Sequence, residues 1–311
     1  MPRVIPHAET AAAGLDEVLA VLDETGFHPE DEGNLQASAR LLARLGNNPD
    51  FLGDMLVAEL AENHREEQGG NAYGAQSLML SPPGNGNWFL RANIWPSRDE
   101  HAFRASGGTP FVYDLPHDHN FHFLTQGYFG PGYWSDYYEY DYAEVTGWSG
   151  EPVDLRFVER ARLEPGKVML YRAHRDVHRQ IPPDSLSVSI NIMHCSGAQG
   201  WLDQYAFDLD QGRLTRILSN GSSEAFVRIA VALGSEEASD LAHRFLRQHP
   251  SDRMRLACLG ALAAAAPDAA ARDAAWAAGE RAGSRLVAAE ARRRRAEPKA
   301  KRDQFGSFGM G

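Results

Sequence analysis

The chain begins with apolar residues that recur every three or four positions, which is the spacing of one face of an α-helix. Leu15, Val18 and Leu22 lie on one such face, and Gly26 follows them as a helix stop. The same spacing recurs twice more in the residues that follow. We therefore predict a helical N-terminal segment over residues 1–74.

From about residue 75 the pattern changes to short runs rich in Tyr, Phe, Trp and Val that Gly and Pro separate. Such runs are typical of short strands joined by tight turns. We predict strands at 76–80, 88–95, 110–113, 121–125, 137–142, 153–159, 167–171, 178–181 and 186–192. Many short strands with little helix between them predict an antiparallel sandwich or barrel over residues 75–200.

Residues 201–296 return to helical spacing, in segments rich in Ala, Leu and Arg that Gly or Pro interrupts. The segment lengths predict helical pairs of a HEAT-like kind, with a plain bundle as the alternative. We predict a disordered tail over residues 297–311. The predicted fold class is therefore α+β and multidomain, with a β-barrel between two helical segments.

Charge and composition narrow the functional classes. The net charge of -11 argues against a nucleic-acid binder, whose affinity would come from clustered Lys and Arg. No apolar run approaches the roughly 20 residues of a membrane span, and the N-terminus lacks the apolar core of a secretion signal. With only two cysteines, Cys195 and Cys258, we predict reduced thiols and a cytoplasmic location.

Histidines are concentrated in the strand-rich middle of the chain, which holds seven of the 12. On a strand, side chains alternate between two faces, so His117 and His119 share a face and can both reach one metal ion. His122 is out of phase with them and is predicted to be structural. Downstream, His174 and His178 are candidates for a third ligand, since imidazole is the commonest ligand for first-row metals.

Two tracts resemble the two motifs of the cupin superfamily, whose fold is a double-stranded β-helix barrel. His117-Asp118-His119 is similar to the His-x-His of the first motif, and Pro165-Gly166 followed by His178 is similar to the second. The resemblance covers roughly residues 85–195 and is nearest to cysteine-dioxygenase-like enzymes, which bind non-heme iron through three histidines. It implies that His117, His119 and His178 hold Fe(II) or another divalent transition metal.

The same resemblance implies that Arg91 binds a substrate carboxylate, because a guanidinium can grip a carboxylate bidentately. The Glu of the general cupin motif is missing here, and His122 stands near its position. The family's Tyr after the last His is also missing, which puts cysteine itself in doubt as the substrate. We predict further site residues from the same region: Arg172, Tyr113 and Tyr133 for substrate binding, and His174 and Tyr171 for catalysis.

Three neutral ligands leave coordination positions on Fe(II) for a substrate and for O₂, and they favour an anionic substrate. We therefore predict an O₂-dependent oxidase or dioxygenase that acts on a small carboxylate- or thiol-bearing molecule or on a peptide-borne residue. A 2-oxoglutarate-dependent hydroxylase is a second hypothesis, but it normally needs His-x-Asp/Glu, whereas Asp118 follows His117 directly. A third is an O₂-independent cupin isomerase or lyase, and a fourth is a non-catalytic ligand- or peptide-binding module. The C-terminal helices are a candidate contact for a protein or peptide.

Overall fold

The structure is a computed structural model that describes residues 2–62, 76–81, 84, 86–219 and 221–297. The described residues fall into two compact units. The β unit comprises the described parts of Met1–Tyr142, Pro152–Gly200 and Gln204–Thr215. The helical unit comprises those of Ala143–Glu151, Trp201–Asp203 and Arg216–Gly311.

The β unit is built on antiparallel strands. The strands are β1 Arg3–Val4, β2 Ser77–Ser81, β3 Trp88–Trp95, β4 Phe123–Phe129, β5 Trp134–Glu139, β6 Arg156–Arg162, β7 Val168–Tyr171, β8 Asp176–Ile181, β9 Ser187–His194, β10 Tyr205–Asp208 and β11 Arg213–Ile217. They form a six-stranded sheet in the order β1-β7-β4-β9-β3-β2, a three-stranded sheet β6-β5-β8, and the pair β10-β11. The α+β class with antiparallel sheets is confirmed. Closure into a cupin-like barrel stays a prediction, because these strands form separate sheets.

The two faces of the six-stranded sheet have different partners because side chains alternate along each strand. Leu90, Leu124 and Ile190 lie on the outer face, in one core with helices α1 Leu15–Thr25, α2 Glu32–Gly46 and α3 Phe51–Glu62. The N-terminal helices therefore share a hydrophobic core with the sheet instead of forming a separate domain. On the inner face, residues such as Phe123 and Met193 pack against the three-stranded sheet.

The predicted strand over 110–113 is wrong, while the strand predicted over 88–95 has the bounds that the structure gives. Thr109–Phe111 is a 3₁₀ turn with proline in its first turn, where the missing N–H costs nothing. Val112 and Asp114 follow with φ of 57°, a conformation that ends any extended run. Strands β1, β10 and β11 and helix α4 His101–Ser106 were not predicted, and β10 and β11 extend the β unit past the predicted boundary at residue 200.

The turn between β4 and β5 requires glycine at position 132. Gly132 has φ of 82°, and a Cβ there would collide with the carbonyl oxygen of Leu163. Gly166 has a similar φ of 77° but open space around it. We expect Gly132→Ala to lower the free energy of unfolding by about 3 kcal/mol or more, from backbone strain plus overpacking. Gly166→Ala should lower the free energy of unfolding only by the backbone strain, about 1–2 kcal/mol. Equal losses of unfolding free energy for the two variants in urea denaturation would contradict a collision at position 132.

The helical unit contains five helices among its described residues: α5 Ser223–Ala232, α6 Glu236–Gln248, α7 Asp252–Ala264, α8 Ala269–Gly279 and α9 Arg285–Ala296. Helix α7 contacts each of the other four, which favours a small bundle over a linear HEAT-like array. Side chains of α5 and α6 pack on Cys258 of α7, and Val287 of α9 packs on Leu259. Four of these helices begin with a side chain that accepts the backbone N–H three residues on, as Ser251 does for Met254.

Three of the remaining predictions concern location, thiols and the tail. None of the helices within the described residues is long and apolar enough to cross a membrane. Both cysteines are free, with Cys195 half-buried and Cys258 buried. The predicted disordered tail lies outside the described residues from residue 298 onward.

Candidate metal centre

The three predicted ligands are brought together by backbone pairing rather than by one continuous strand. His117 forms an isolated bridge opposite His178, with N–H···O hydrogen bonds of 3.0 and 2.9 Å in the two directions. On its other side His117 bridges to Ala206, and Phe207 donates its N–H to Pro116 at 2.9 Å. The regular strand β4 starts only at Phe123, so the strand predicted over 121–125 begins later than expected.

The imidazole nitrogens of His117, His119 and His178 converge on one point. The Nε2 atom of His178 lies 3.0 Å from Nε2 of His119 and 3.2 Å from Nε2 of His117. Two nitrogens at neighbouring positions of one first-row ion are roughly 3 Å apart when each metal–nitrogen bond is ~2.1 Å. All three rings are buried, with at most 8% of each residue exposed. Within the described residues these three form the one group of His, Cys, Asp or Glu side chains that can hold a metal ion.

The protonation state of the group suits metal binding. Nδ1 of His117 donates to the carbonyl oxygen of Leu115 at 2.8 Å, so its Nε2 carries a lone pair. Burial lowers the pKa of His117 to about 4, and burial lowers the pKa values of His119 and His178 well below the ordinary value. The rings are therefore neutral at physiological pH, which is the form that binds a metal.

Hydrogen bonding within the group cannot account for these contacts. A neutral His178 has at most one proton on Nε2, and that proton can serve only one of the two neighbouring imidazole nitrogens. Whichever contact takes the proton, the other leaves two nitrogens at short range in a buried site without a hydrogen bond between them. A cation shared by the three Nε2 atoms removes this conflict, so the donor set fits a divalent transition metal. The structure shows no preference among such metals.

Asp118 lies between two of the predicted ligands but faces away from them. Its carboxylate accepts the Tyr140 hydroxyl at 2.6 Å and the Tyr205 backbone N–H at 2.6 Å. Asp118 is fully buried, so both hydrogen bonds are shielded from water. The alternation expected of a strand holds here although the residues form no regular strand. Asp118 therefore does not supply the carboxylate that a 2-oxoglutarate site needs.

A wall of aromatic side chains stands beside the three histidines. The Tyr171 ring lies 4.9 Å from the His178 ring and stacks on Phe123 at 4.4 Å. Its hydroxyl is 3.0 Å from that of Tyr137 and is also hydrogen-bonded to Tyr133, whose ring is 4.0 Å from Trp95. Burial raises the pKa of Tyr137 to about 12, and burial also raises the pKa of Tyr171 well above its ordinary value. These hydroxyls are therefore protonated and can donate hydrogen bonds.

Two of the predicted substrate-binding residues occupy different surroundings. Arg91 lies on the inner face of β3, close enough to His119 and Tyr133 for its charge to lower the pKa values of both. Tyr113 is buried, and its hydroxyl donates to the Pro96 carbonyl at 2.9 Å. Arg91 is therefore placed beside the candidate metal centre, whereas the Tyr113 hydroxyl already has a backbone partner.

The roles predicted for Arg172 and His174 have less support. The Arg172 guanidinium donates to Asp176 at 2.6 Å and to Glu139 at 2.9 Å, so two carboxylates already compete with any substrate for it. His174 lies outside the three-histidine group, in the turn between β7 and β8 with φ of 58°, and its ring is 4.3 Å from that of Tyr142. Burial lowers its pKa to about 4. The substrate-binding role of Arg172 and the catalytic role of His174 stay predictions.

Two further residues lie near the group without belonging to the predicted site. His122 is predicted to be structural, and its Nδ1 accepts the Ala173 N–H at 3.3 Å, with its ring 6.0 Å from His194. Gln180 was not among the predicted site residues, although its amide nitrogen lies 3.2 Å from Nε2 of His178. The strand period of two from His178 would have placed Gln180 on the same face as that ligand.

No family model matches the chain, and no curated protein matches it. Similar solved structures include one described as "DMSP lyases RdDddP and RnDddQII", at 14% identity and a TM-score of 0.28, covering 66% of this chain and 84% of that chain. Another is the DMSP lyase DddQ from Ruegeria pomeroyi DSS-3, at 11% identity and a TM-score of 0.26, covering 62% and 78%. The vicilin from Solanum melongena has 13% identity and a TM-score of 0.24, covering 47% and 34%. At these TM-scores none of the three supports a conclusion about this chain.

Proposed function

We propose that the β unit is a non-heme Fe(II) enzyme that oxidises a small anionic molecule with O₂. The observation that carries the proposal is the convergence of three buried, neutral imidazole nitrogens from His117, His119 and His178. A bound Fe(II) would supply redox chemistry and open coordination positions for a substrate and for O₂. This donor set suits that chemistry because it leaves part of the coordination sphere to the reactants.

The charge of the site favours an anionic substrate. Three neutral ligands do not offset the charge of a divalent ion, and a buried charge is costly until it is paired. Arg91 adds a second positive charge close to His119. A thiolate or carboxylate would pair with both charges, and the Arg91 guanidinium can hold a carboxylate bidentately.

The aromatic wall would orient the substrate and exclude water. The hydroxyls of Tyr133, Tyr137 and Tyr171 are buried, protonated and hydrogen-bonded in a chain, which uses two of their three protons and leaves one to donate to a substrate oxygen atom. Phe121 and Phe123 lie against the His119 ring, at 4.8 and 4.9 Å. Excluding water in this way strengthens every electrostatic interaction inside the site.

An oxygen-electrode experiment tests the proposal. Protein reconstituted anaerobically with Fe(II) is mixed with small thiols and carboxylates, and O₂ uptake is recorded against product formation. We expect one O₂ per product without added reductant, because in a dioxygenation the substrate supplies all the electrons. Arg91→Met should raise KM about 10–100-fold, the loss of a hydrogen-bonded charge pair. Arg98→Met is the control, since that side chain is 62% exposed, pairs with Asp114 at 3.5 Å and lies over the Phe103 ring at 5.6 Å.

The same experiment separates the competing functions. Uptake that depends on added 2-oxoglutarate would indicate a hydroxylase instead. Turnover without O₂ uptake would indicate a metal-dependent lyase or isomerase. Metal binding with no turnover of any thiol or carboxylate would favour a ligand- or peptide-binding module.

A further inference from the structure

Gln180 presents an unpartnered polar atom beside the three histidines. It lies on β8 two residues after His178, so both side chains project from the same face of the strand. Gln180 is 4% exposed, and its Oε1 is buried without a hydrogen-bond partner. Its other amide atom, Nε2, is 3.2 Å from Nε2 of His178. A buried amide left half-satisfied at this point calls for an explanation.

The backbone holds Gln180 in this position. Gln180 pairs with Ser135 where β5 and β8 run side by side, and His178 pairs with Tyr137. The two pairs are two residues apart, so their side chains lie on the same face. The carbonyl oxygen of Gln180 accepts the N–H of Asp114 at 3.0 Å. The side chain therefore stays on the interior face of the sheet, and the amide group has two orientations that exchange its nitrogen and oxygen.

The two orientations of the amide have opposite consequences for a metal. In one, the NH₂ group donates to Nε2 of His178 and occupies the lone pair that a metal would use. In the other, Oε1 takes the position near His178 and joins the imidazole nitrogens. Oxygen and nitrogen of an amide are assigned from their hydrogen bonds, so the choice depends on which orientation satisfies the site. The orientation with NH₂ toward His178 leaves Oε1 buried without a hydrogen-bond partner, as the structure shows.

We propose that Gln180 is a fourth protein ligand of the metal, through Oε1. This inference rests on the metal site of the proposed function. The amide atom near His178 is at 3.2 Å, the same range as the two imidazole contacts of 3.0 and 3.2 Å. An amide oxygen is a neutral ligand that first-row divalent ions accept alongside imidazole. The ligand set becomes three nitrogens and one oxygen, and the ion keeps its whole charge for an anionic substrate.

Cobalt(II) binding tests the inference without relying on activity. We expect Gln180→Leu to weaken Co(II) affinity at least about tenfold, as measured by chelator competition. Loss of a residue that only supports a ligand already weakens metal affinity by about 10–100-fold. The visible absorption of Co(II) in this variant should change in intensity, since the coordination number falls. Gln180→Glu supplies an oxygen ligand with a negative charge and should bind Co(II) at least as tightly as wild type.

Gln126→Leu is the matched control. Gln126 is also buried with an unpartnered Oε1, but it faces the N-terminal helices, where a Cβ on Gly46 would meet it. This variant should keep the wild-type affinity and spectrum.

Unchanged or tighter Co(II) binding in Gln180→Leu would overturn the inference, because the amide would then be a competing donor. If wild type binds no Co(II), the metal site and the proposed function fail together. Binding that needs His119 but not Gln180 would overturn the inference alone.

Discussion

His119→Ala should abolish stoichiometric metal binding. Wild-type protein reconstituted with Fe(II) should hold close to one ion per chain, and the variant should hold less than about one tenth of that. The Nε2 atom of His119 lies 3.0 Å from that of His178 in a buried group, so its loss removes a ligand and leaves a cavity. The drop in affinity should exceed the roughly 10–100-fold that follows loss of an outer-shell partner. Inductively coupled plasma mass spectrometry after gel filtration gives the metal content.

His122→Ala is the matched control for this experiment. His122 is three residues away and half-buried, and it lies outside the three-histidine group of the described residues. We expect it to retain its metal. Far-UV circular dichroism and urea denaturation establish that His119→Ala is folded, and His119→Leu, which fills the cavity better and has no donor atom, provides a second test. A folded His119→Ala or His119→Leu variant that keeps its metal would refute the assignment of His119 as a ligand.

Asp118→Ala should lower the free energy of unfolding by about 3–5 kcal/mol, because it removes two buried hydrogen bonds to a carboxylate. Its carboxylate accepts two buried hydrogen bonds of 2.6 Å, from the Tyr140 hydroxyl and the Tyr205 N–H. Hydrogen bonds to a charged group contribute about 1.5–3 kcal/mol each, and their loss leaves both donors buried without an acceptor. Asp118→Asn keeps an acceptor oxygen and should lose less.

Asp99→Ala controls for the removal of a carboxylate. The Asp99 side chain is 91% exposed and pairs with Arg104 at 3.3 Å, so its loss should change stability by about 0.5 kcal/mol or less. Asp118→Ala should also weaken metal binding, because it releases the backbone between His117 and His119. Equal stability of the Asp118→Ala and Asp99→Ala variants in urea denaturation would show that the buried carboxylate does not anchor the segment.

The alternation of side chains that is expected of a strand was predicted correctly for residues 117–119, although these residues form no regular strand. His117 and His119 face the interior and Asp118 faces the other way, yet two isolated bridges form there instead of a regular strand. The alternation survives because the segment is extended and is paired on both sides, with His178 and with Ala206. An extended backbone turns successive side chains to opposite faces whether or not a ladder is complete.

Other features depend on contacts that no local pattern contains. The partners of Asp118 are 22 and 87 residues away along the chain. Strand propensity predicted 110–113 as a strand, but proline in the first turn and positive φ angles at Val112 and Asp114 make it a 3₁₀ turn. Local propensity is a weak guide where turn chemistry competes with it. The core that the N-terminal helices share with the sheet likewise depends on contacts between segments distant in the chain.

The sequence by itself determined the class of the fold and the residue types of the candidate site. A short run rich in aromatic and apolar residues predicted strand β3 with its bounds, strand alternation paired His117 with His119, and the resemblance to the cupin motifs added His178. Only the tertiary structure decided that their Nε2 atoms meet within about 3 Å, and that Gln180 stands beside them with an unpartnered oxygen. The reason is physical: periodicity fixes the face of a strand on which a side chain lies. Distances between strands follow from register and sheet packing, which depend on pairings distant in sequence.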